Sequence, residues 1–323
     1  MVNGHRTAAV SARGLRKSFG EQVVLDGIDL TVPEGTVFSL LGPNGAGKTT
    51  TVQILTTLIT PDAGDIRIGG HDLAAERKQV RAQIGVTGQF SAVDELLTGR
   101  ENLLLMGDLH HLPRRDARRL AQNLLERFDL ADAADKTVAT YSGGMTRRLD
   151  LAMTLVGDPR IIFLDEPTTG LDPRSRRAIW DIIRGLVDDY RVTVFLTTQY
   201  LEEADQLADR IAVLDHGRIV AEGTAAELKR LVPGGHIRLE FADRPALAAA
   251  ADALGVAAPA LDDDENLTLA VPSDGGVKSL RSVLDRLDYE QIEVEGLAVH
   301  TPNLDDVFLT LTGHPTTEKE TVR

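Results

Sequence analysis

A glycine-rich segment near the amino terminus carries the clearest chemical pattern in this sequence. Residues 42–49 read GPNGAGKT, after the apolar run Val37–Leu41 and before a helix-like stretch over Thr50–Leu58. Glycines let successive backbone N–H groups curl around phosphate oxygens, and the positive end of the following helix favours the same anion. The pattern therefore predicts a phosphate-binding loop, in which Lys48 reaches the β- and γ-phosphates and Thr49 holds Mg²⁺.

Two neighbouring acids end a second apolar run. The segment IIFLDEP occupies Ile161–Pro167, so Asp165 and Glu166 stand where a buried strand would end. One carboxylate suits coordination of Mg²⁺ through water, and the next suits polarising an attacking water molecule. Paired acids at a strand end are often only a solvated loop, but a phosphate loop in the same chain favours a hydrolytic site. More than a hundred residues separate the two motifs, which predicts a helical insertion between them.

Two further segments are weaker signals. In YSGGM, Ser142, Gly143 and Gly144 precede a strongly helical stretch. A serine and glycines at a helix start can form a second anion-binding surface, although the same residues also serve as a plain helix cap. Gln199 is the second signal, because it ends the β-branched run Val194–Thr198 with a polar amide.

The elements that position these residues alternate between strand and helix. Short strands broken at Gly20, Gly27 and Pro33–Gly35 are expected before the phosphate loop, and residues 95–155 read as mostly helical. A helix is expected over Arg174–Asp188, after the acidic pair. Apolar strands that alternate with helices predict a parallel sheet covered on both faces, and hence an α/β fold of the phosphate-loop class.

The composition changes near residue 232. From Gly234 to Gly313 there are 5 lysines or arginines against 15 acidic residues. We predict a first domain over residues 1–231 with a helical subdomain at about 91–157, a small acidic α+β domain over 232–313, and a tail over 314–323. The second domain is expected to contain three strands, HIRLEFA, NLTLAVP and QIEVEGLAV, and helices over Ala246–Leu254, Val277–Leu287 and Leu304–Leu311.

The bulk composition excludes several classes of protein. The 323-residue chain has a net charge of −14, which argues against a general nucleic-acid or anionic-membrane binder. It contains no cysteine, so disulfides and thiolate metal sites are excluded. The first residues lack the apolar core of a signal peptide, and no run approaches the ~20 apolar residues of a membrane span. Any membrane role therefore requires a partner.

Taken together, these motifs resemble the nucleotide-binding subunit of an ATP-binding cassette (ABC) transporter over residues 10–230. The resemblance is carried, in the expected order, by GPNGAGKTT, YSGGM, IIFLDEP, GLDP and EEADQLADRIAVLDHGRIVAEGT. It implies an ATPase with Mg²⁺ as cofactor, catalysed by Lys48, Glu166 and Gln199. It assigns ATP contacts to the residues of the phosphate loop: Gly42, Pro43, Asn44, Gly45, Ala46, Gly47, Lys48, Thr49 and Thr50.

The resemblance also implies roles for residues outside the two main motifs. Phe19 would stack on adenine, at a position more often held by tyrosine, and Gln89 would contact the metal and sense the membrane partner. The segment Ser142–Gly144 would face the phosphate loop of a second copy, so that ATP is sandwiched in a head-to-tail homodimer with Asp172 at the seam. Such a subunit works at the cytoplasmic face of the bacterial membrane, with a separately encoded transmembrane permease.

Two residues depart from the family pattern. Met145 replaces the usual signature glutamine, which removes one side-chain hydrogen bond but leaves Ser142 and the glycine amides. Gln199 stands where the family normally has a histidine that faces the γ-phosphate. A glutamine amide can donate to a phosphate oxygen, but it cannot carry charge or shuttle a proton. We therefore expect Glu166 to act as the main base and Gln199 to position phosphate and water.

The same departures narrow the resemblance to the daunorubicin-resistance-type drug-export ATPases. It is carried by four segments: TGQFSAVDELLTGRENL, YSGGMTRRLDLA, TTQYLEEADQLADRIAVLDHGRI and the terminal TPNLDDVFLTLTG. In that group the second domain supports dimer or permease assembly. Two alternatives stay open at this point: export of a lipid or another cargo, and a soluble ABC protein that acts on ribosomes or DNA. The single cassette and the acidic charge disfavour the second.

Overall fold

The computed structural model describes residues 8–88, 92–231, 235–256, 267–273, 276–300 and 303–313. The chain divides into two compact units, Met1–Ala225 and Ala226–Arg323. No helix in these described ranges is both long enough and apolar enough to span a membrane.

Within its described residues, the first unit contains ten strands and seven α-helices, and an eighth α-helix begins at its last residue. The strands are β1 (Ala8–Phe19), β2 (Gln22–Pro33), β3 (Val37–Leu41), β4 (Ala63–Ile68), β5 (His71–Asp72), β6 (Ile84–Thr87), β7 (Ile161–Asp165), β8 (Thr193–Thr198), β9 (Arg210–Asp215) and β10 (Arg218–Gly223). The helices are α1 (Lys48–Leu55), α2 (Arg77–Arg81), α3 (Gly99–Leu109), α4 (Arg114–Arg127), α5 (Gly143–Thr154), α6 (Pro173–Tyr190), α7 (Leu201–Leu207) and α8 (Ala225–Lys229).

A six-stranded sheet forms the centre of this unit, in the order β10-β9-β3-β8-β7-β6. All its pairings are parallel except that of β9 with β10. Successive side chains of β7 enter opposite cores: Ile162 packs with helical residues, whereas Ile161 packs with residues of a second sheet. A sheet that is buried on both faces needs continuous apolar strands, so the prediction of an α/β fold with a covered parallel sheet is confirmed.

The second sheet is antiparallel, in the order β2-β1-β4-β5, and it differs from the prediction of short strands. The turn at Gly20 is present, but Gly27 lies inside β2 and does not break it. Arg16 pairs with Asp26 while Leu15 pairs with Ile28, so Gly27 is the extra residue of a β-bulge at φ +74°. A glycine accommodates that backbone without strain, which is why a residue that resembles a strand breaker continues the strand.

The insertion between the two main motifs is helical, as predicted, and consists mainly of α3, α4 and α5. Apolar residues of these helices share one core with α6 and one face of the central sheet. Thr98 begins α3 with a reciprocal cap, in which its hydroxyl and the Glu101 carboxylate each satisfy a backbone N–H. The helix after the phosphate loop begins at Lys48, earlier than the predicted Thr50.

The second unit is built on a three-stranded antiparallel sheet in the order β12-β11-β13, from β11 (His236–Glu240), β12 (Thr268–Pro272) and β13 (Gly296–His300). Its helices are α9 (Arg244–Leu254), α10 (Val277–Tyr289) and α11 (Leu304–Thr312). Alternate residues of β11, Ile237 and Leu239, are buried and pack with apolar residues of α9 and α10. This arrangement gives the unit a hydrophobic core of its own.

Candidate active site

The carboxyl ends of three parallel strands bring the predicted residues to one edge of the central sheet. Leu41 of β3 lies opposite Thr198 of β8, and Asp165 of β7 lies opposite Thr197. The N–H of Gly42 donates to the carbonyl of Thr198 at 3.2 Å, just beyond the strands. The phosphate loop, the acidic pair and the segment at Gln199 therefore begin at the same edge.

The backbone of residues 42–49 has the form of an anion cradle. Gly47 precedes α1 at φ +110°, and no side chain caps the helix. No oxygen of the described residues accepts from the N–H groups of Lys48 or Thr49, so the first turn presents free donors. A Cβ on Gly47 would lie 2.6 Å from Cδ2 of Leu25, and one on Gly42 would lie 2.3 Å from the Leu214 carbonyl oxygen. Gly47 is therefore required by both conformation and space, and Gly42 by space.

Lys48 is buried at the start of α1. Its Nζ donates to the carbonyls of Gly42 at 2.8 Å and Pro43 at 3.1 Å, and lies 3.3 Å from Oε1 of Glu166. Burial lowers the pKa of Lys48, and the nearby Glu166 and Asp165 carboxylates oppose that shift. The structure thus brings the predicted lysine and the predicted base into contact.

The acidic pair is held rigidly by the adjacent strand. Asp165 is buried and accepts a hydrogen bond from the Thr197 hydroxyl. Glu166 has φ +49°, and its N–H donates to both the carbonyl and the hydroxyl of Thr197 at 3.1 Å. Thr169 donates to its carboxylate at 3.3 Å. A non-glycine residue in the left-handed backbone region carries a conformational free-energy cost of roughly 1–3 kcal/mol, and such residues cluster at functional sites.

Gln199 follows β8 directly and is half-buried. Within the described part of the chain, its side-chain amide has no hydrogen-bond partner. The next residue, Tyr200, is held by two contacts. Its N–H donates to the Thr198 hydroxyl, and the Arg176 guanidinium lies 4.5 Å from the centroid of its ring. The amide therefore projects from an ordered position and is free to donate or accept.

Ser142 and Gly143 are exposed at the start of α5. The Ser142 hydroxyl accepts from the N–H of Met145 at 3.3 Å, so Ser142 is also the helix cap. Gly144 packs closely on α6, because a Cβ there would lie 2.6 Å from the Ser175 hydroxyl. A cavity of about 400 Å³ is lined by Gly143 and Glu166 among others. The segment Ser142–Gly144, called the signature segment below, and the acidic pair thus border the same space.

Of the three other predicted residues, the structure describes Asp172 and Phe19. Asp172 is exposed and caps α6, accepting from the N–H groups of Arg174 and Ser175, and the Ser175 hydroxyl lowers the pKa of its carboxylate. Phe19 ends β1 with 51% of its surface exposed, and the Lys17 ammonium lies 5.3 Å from its ring centroid. Gln89 lies outside the described residues.

Sequence reasoning missed a group of buried charges behind the acidic pair. Glu203 of α7 is fully buried and accepts from the Thr168 hydroxyl at 2.8 Å and the Trp180 indole at 3.0 Å. Burial raises the pKa of Glu203. Arg147 and Asp150 of α5 are also buried and pair at 3.0 Å. The available signal was the position of Asp150 between Leu149 and Leu151.

Comparisons with known proteins agree with this geometry. The family model described as "ABC transporter" matches residues 25–169. The daunorubicin resistance ATP-binding protein DrrA3 of Streptomyces coeruleorubidus is 52% identical, with 97% of this chain and 98% of that protein covered. The daunorubicin/doxorubicin resistance ATP-binding protein DrrA of Streptomyces peucetius is 47% identical, with 99% and 97% covered. A solved dimeric ATP-binding cassette bound to ADP and Pi is 27% identical, with a TM-score of 0.60 over 67% of this chain and 98% of that one.

A phosphate loop, an acidic strand end and an exposed serine-glycine-glycine helix start define an ATPase of the phosphate-loop class. The chain belongs to the ABC transporter family as an ATP-binding, ATP-hydrolysing subunit. Its nearly full-length similarity to the two Streptomyces proteins places it in the daunorubicin-resistance type.

Proposed function

We propose that this chain powers a bacterial exporter of a drug or antibiotic through a separately encoded transmembrane permease, from the cytoplasmic face of the membrane. The observation that carries the proposal is the contact of Lys48 with Glu166 at the sheet edge where the phosphate loop begins. The names of the two Streptomyces relatives, which refer to daunorubicin and doxorubicin resistance, support the class of cargo.

The phosphate loop binds the ATP phosphates through its backbone N–H groups, with Lys48 at the β- and γ-phosphates. The unpaired donors at the start of α1 support this assignment, since such a helix end is an anion site. The exposed ring of Phe19 stacks on adenine, which its 51% exposure permits. Gly42 through Thr50 and Phe19 therefore form the nucleotide contacts within one chain.

Thr49, Asp165 and Gln89 form the proposed Mg²⁺ site. A hydroxyl, a carboxylate and an amide are hard oxygen donors that suit this cation, and Asp165 is buried with one oxygen oriented by Thr197. When bound, Mg²⁺ offsets the negative charge of the β- and γ-phosphates. Thr49 stands at the first turn of α1, beside the lysine that contacts Glu166.

Glu166 is the proposed base that accepts a proton from the attacking water. Its backbone N–H donates to both the carbonyl and the hydroxyl of Thr197, which anchors this residue to the end of β8. Gln199 orients the water and the γ-phosphate through its unpaired amide, and it cannot shuttle a proton. Lys48 stabilises the negative charge that the phosphate oxygens carry in the transition state.

Each ATP is proposed to lie between two copies arranged head to tail. In the single chain, Ser142 and Gly143 are exposed, and the Ser142 hydroxyl caps its own helix. A second copy would present these donors to the γ-phosphate, with Asp172 at the seam. The solved dimer of a related cassette bound to ADP and Pi supports the arrangement.

The test is recovery of partners with tagged Glu166→Gln protein from detergent-solubilised membranes of the source bacterium, with ATP and Mg²⁺. This substitution should stop hydrolysis while it preserves ATP binding, so the closed dimer and its partners are retained. Glu126→Gln, at an exposed position on α4, is the matched control and should hydrolyse ATP at the parental rate. Recovery of a multi-span membrane protein supports the proposal.

Three outcomes would contradict parts of this proposal. If Glu166→Gln hydrolyses ATP at the parental rate, the assignment of the base is wrong. If ribosomes or DNA are recovered in place of a membrane protein, the soluble alternative replaces the exporter. The cargo is tested by ATP-dependent uptake of an anthracycline into inverted vesicles that contain the recovered permease. Absence of uptake, with retained uptake of a lipid probe, would move the cargo to the lipid class.

A further inference from the structure

Arg147 lies at a junction between three segments of the active site. It is on α5, five residues after the capping Ser142, which places it about 7.5 Å further along the helix axis. Its Nε donates to the carbonyl of Pro167 at 2.7 Å, and Pro167 directly follows Glu166. Its Nη1 donates to the carbonyl of Gly88 at 3.3 Å, just beyond β6. One guanidinium thus connects α5, the signature helix, to two loops at the sheet edge.

Asp150 extends the same connection. Its Oδ2 accepts from Nη1 of Arg147 at 3.0 Å, and its Oδ1 accepts from the N–H of Ala92 at 3.4 Å. Both side chains are buried, with 9% of Arg147 and 2% of Asp150 exposed. Together they contact Gly88 and Ala92, the described residues on either side of 89–91.

A buried ion pair is weak evidence for a contribution to stability, because desolvation of two charges offsets their attraction. Apolar side chains of similar size would fill the same space on α5 without that desolvation. Arg147 moreover leaves Nη2 buried without a hydrogen-bond partner among the described residues. The geometry that this pair supplies, a rigid link from α5 to the Pro167 carbonyl, is not one that an apolar pair could supply.

We propose that Arg147, oriented by Asp150, is a positioning residue that couples the signature helix to the loop carrying the catalytic Glu166. The inference rests on the proposed function, in which Ser142 meets the nucleotide of a second copy. A shift of α5 when Ser142 engages that nucleotide is transmitted through the guanidinium to Pro167. Glu166 is thereby held in its reactive position only when the dimer is closed.

The test compares steady-state hydrolysis by purified full-length variants. Arg147→Met with Asp150→Leu removes both buried charges together, so neither is left unpaired. We expect a KM for ATP within about threefold of the parent and a kcat at least tenfold lower, since the phosphate loop is intact and only the base is misplaced. Arg148→Met is the matched control and should leave kcat unchanged, because among the described residues the Arg148 guanidinium forms hydrogen bonds only with Phe128 and Asp129.

A spectroscopic readout separates positioning from general loss of structure. Trp180 is the only tryptophan, and its indole shares the Glu203 carboxylate with Thr168, two residues after Glu166. ATP and Mg²⁺ should change Trp180 fluorescence in the parent and in Arg148→Met. The change should be at least halved in the double variant, although it still binds ATP by calorimetry.

Three results would overturn the inference. One is a parental kcat in the folded double variant. If Glu166→Gln is inactive in the same assay, that result rejects the inference but not the proposed function. Another is an equal loss of kcat in Arg148→Met. If the double variant does not fold, Arg147→Lys decides, because lysine keeps the charge but replaces the fixed fork of Nε and Nη1 with a single ammonium. A parental kcat there would also overturn the inference, whereas a fall of about fivefold or more would support it. Parental hydrolysis by Glu166→Gln would instead reject the proposed function.

Discussion

At the scale of single residues, the site depends on a few side chains that are each held by several contacts. Glu166 is held in a left-handed backbone by two bonds to Thr197, and its carboxylate meets the Lys48 ammonium at 3.3 Å. These contacts place the proposed base beside the phosphate loop in the single chain.

Replacement of Gln199 by histidine should introduce a new pH dependence. A glutamine amide does not titrate, so position 199 contributes no ionisation to the parental profile. In Gln199→His, kcat should acquire a transition near the ordinary histidine pKa of about 6.5. The measurement is kcat against pH for both proteins at saturating ATP, with Gln122→His on α4 as the control. Superimposable profiles for parent and Gln199→His would show that residue 199 does not face the reacting groups.

Replacement of Glu203 by glutamine should flatten the dependence of stability on pH. Burial raises the pKa of Glu203, so the folded state binds a proton that the unfolded state releases above its ordinary pKa of 4.5. Its favourable contribution is full below that pH and is lost as pH rises through the folded pKa. Glu203→Gln keeps an acceptor for Thr168 and Trp180 without the charge.

Urea unfolding at pH 5 and pH 8 measures this effect. The loss of unfolding free energy between these two pH values should be smaller in Glu203→Gln than in the parent. The exposed Glu202→Gln is the control on the same helix, and its pH dependence should follow the parent. A loss in Glu203→Gln as large as the parental one would show that the buried carboxyl does not titrate in this way.

The residues of the site were predictable from the sequence where local pattern decides their position. Lys48, Asp165 and Glu166 follow apolar strands, and parallel strands end at one edge of a sheet, so their proximity follows from the pattern. Arg147 and Glu203 were not predictable, because nothing local shows that a charged side chain will be buried. Their burial results from packing between segments far apart in the chain.

At the scale of elements, the decisive feature is the junction between β3 and α1. The helix begins without a side-chain cap, so its first N–H groups remain available for phosphate. Gly47 makes this possible, because only glycine both adopts φ +110° readily and fits beside Leu25 and the Val24 carbonyl. The local sequence therefore determines both the turn and its function.

Gly47→Ala should weaken ATP binding at least tenfold. The added methyl group would lie 2.6 Å from Leu25 and 3.0 Å from the Val24 carbonyl oxygen, so the loop must shift and its N–H groups lose their alignment. Gly255→Ala, after α9 at φ +64° with open space around it, is the control. It should cost about 1 kcal/mol of stability and leave the affinity unchanged. Calorimetric titration with ATP tests both, and parental affinity in Gly47→Ala would contradict the assigned role of the loop.

The elements themselves were predicted unevenly. The central sheet and the helical insertion follow from apolar runs and helical periodicity. The long antiparallel pair of β1 and β2 was missed because Gly20 and Gly27 look alike in the sequence. One forms a turn and the other a bulge, and the difference depends on the register of the partner strand.

At the scale of the whole molecule, the two compact units divide the proposed tasks. The phosphate loop, the acidic pair and the signature segment all belong to the first unit. The second unit has its own core and an acidic composition that the sequence already showed. Its function in assembly stays a prediction, as do the domain boundaries placed at residues 231 and 313.

Truncation after Leu231 should separate nucleotide binding from assembly. The shortened chain should keep ATP affinity within about threefold, because every proposed ATP contact made by one chain precedes residue 232. In the background of Glu166→Gln it should recover much less permease than the full-length variant. The measurement is calorimetry combined with quantitative pull-down. Equal recovery of permease, together with intact export, would contradict an assembly role for the second unit.

Hydrolysis is proposed to require two copies, since Ser142 of one copy completes the site that contains Lys48 and Glu166 of the other. The most direct test measures the hydrolysis rate per chain across protein concentrations that span monomer and dimer, with mass followed by light scattering. The rate per chain should rise in step with the dimer fraction, and Ser142→Arg should abolish it while ATP binding persists. Full activity per chain in a strictly monomeric preparation, equal to that of the dimer, would contradict this requirement.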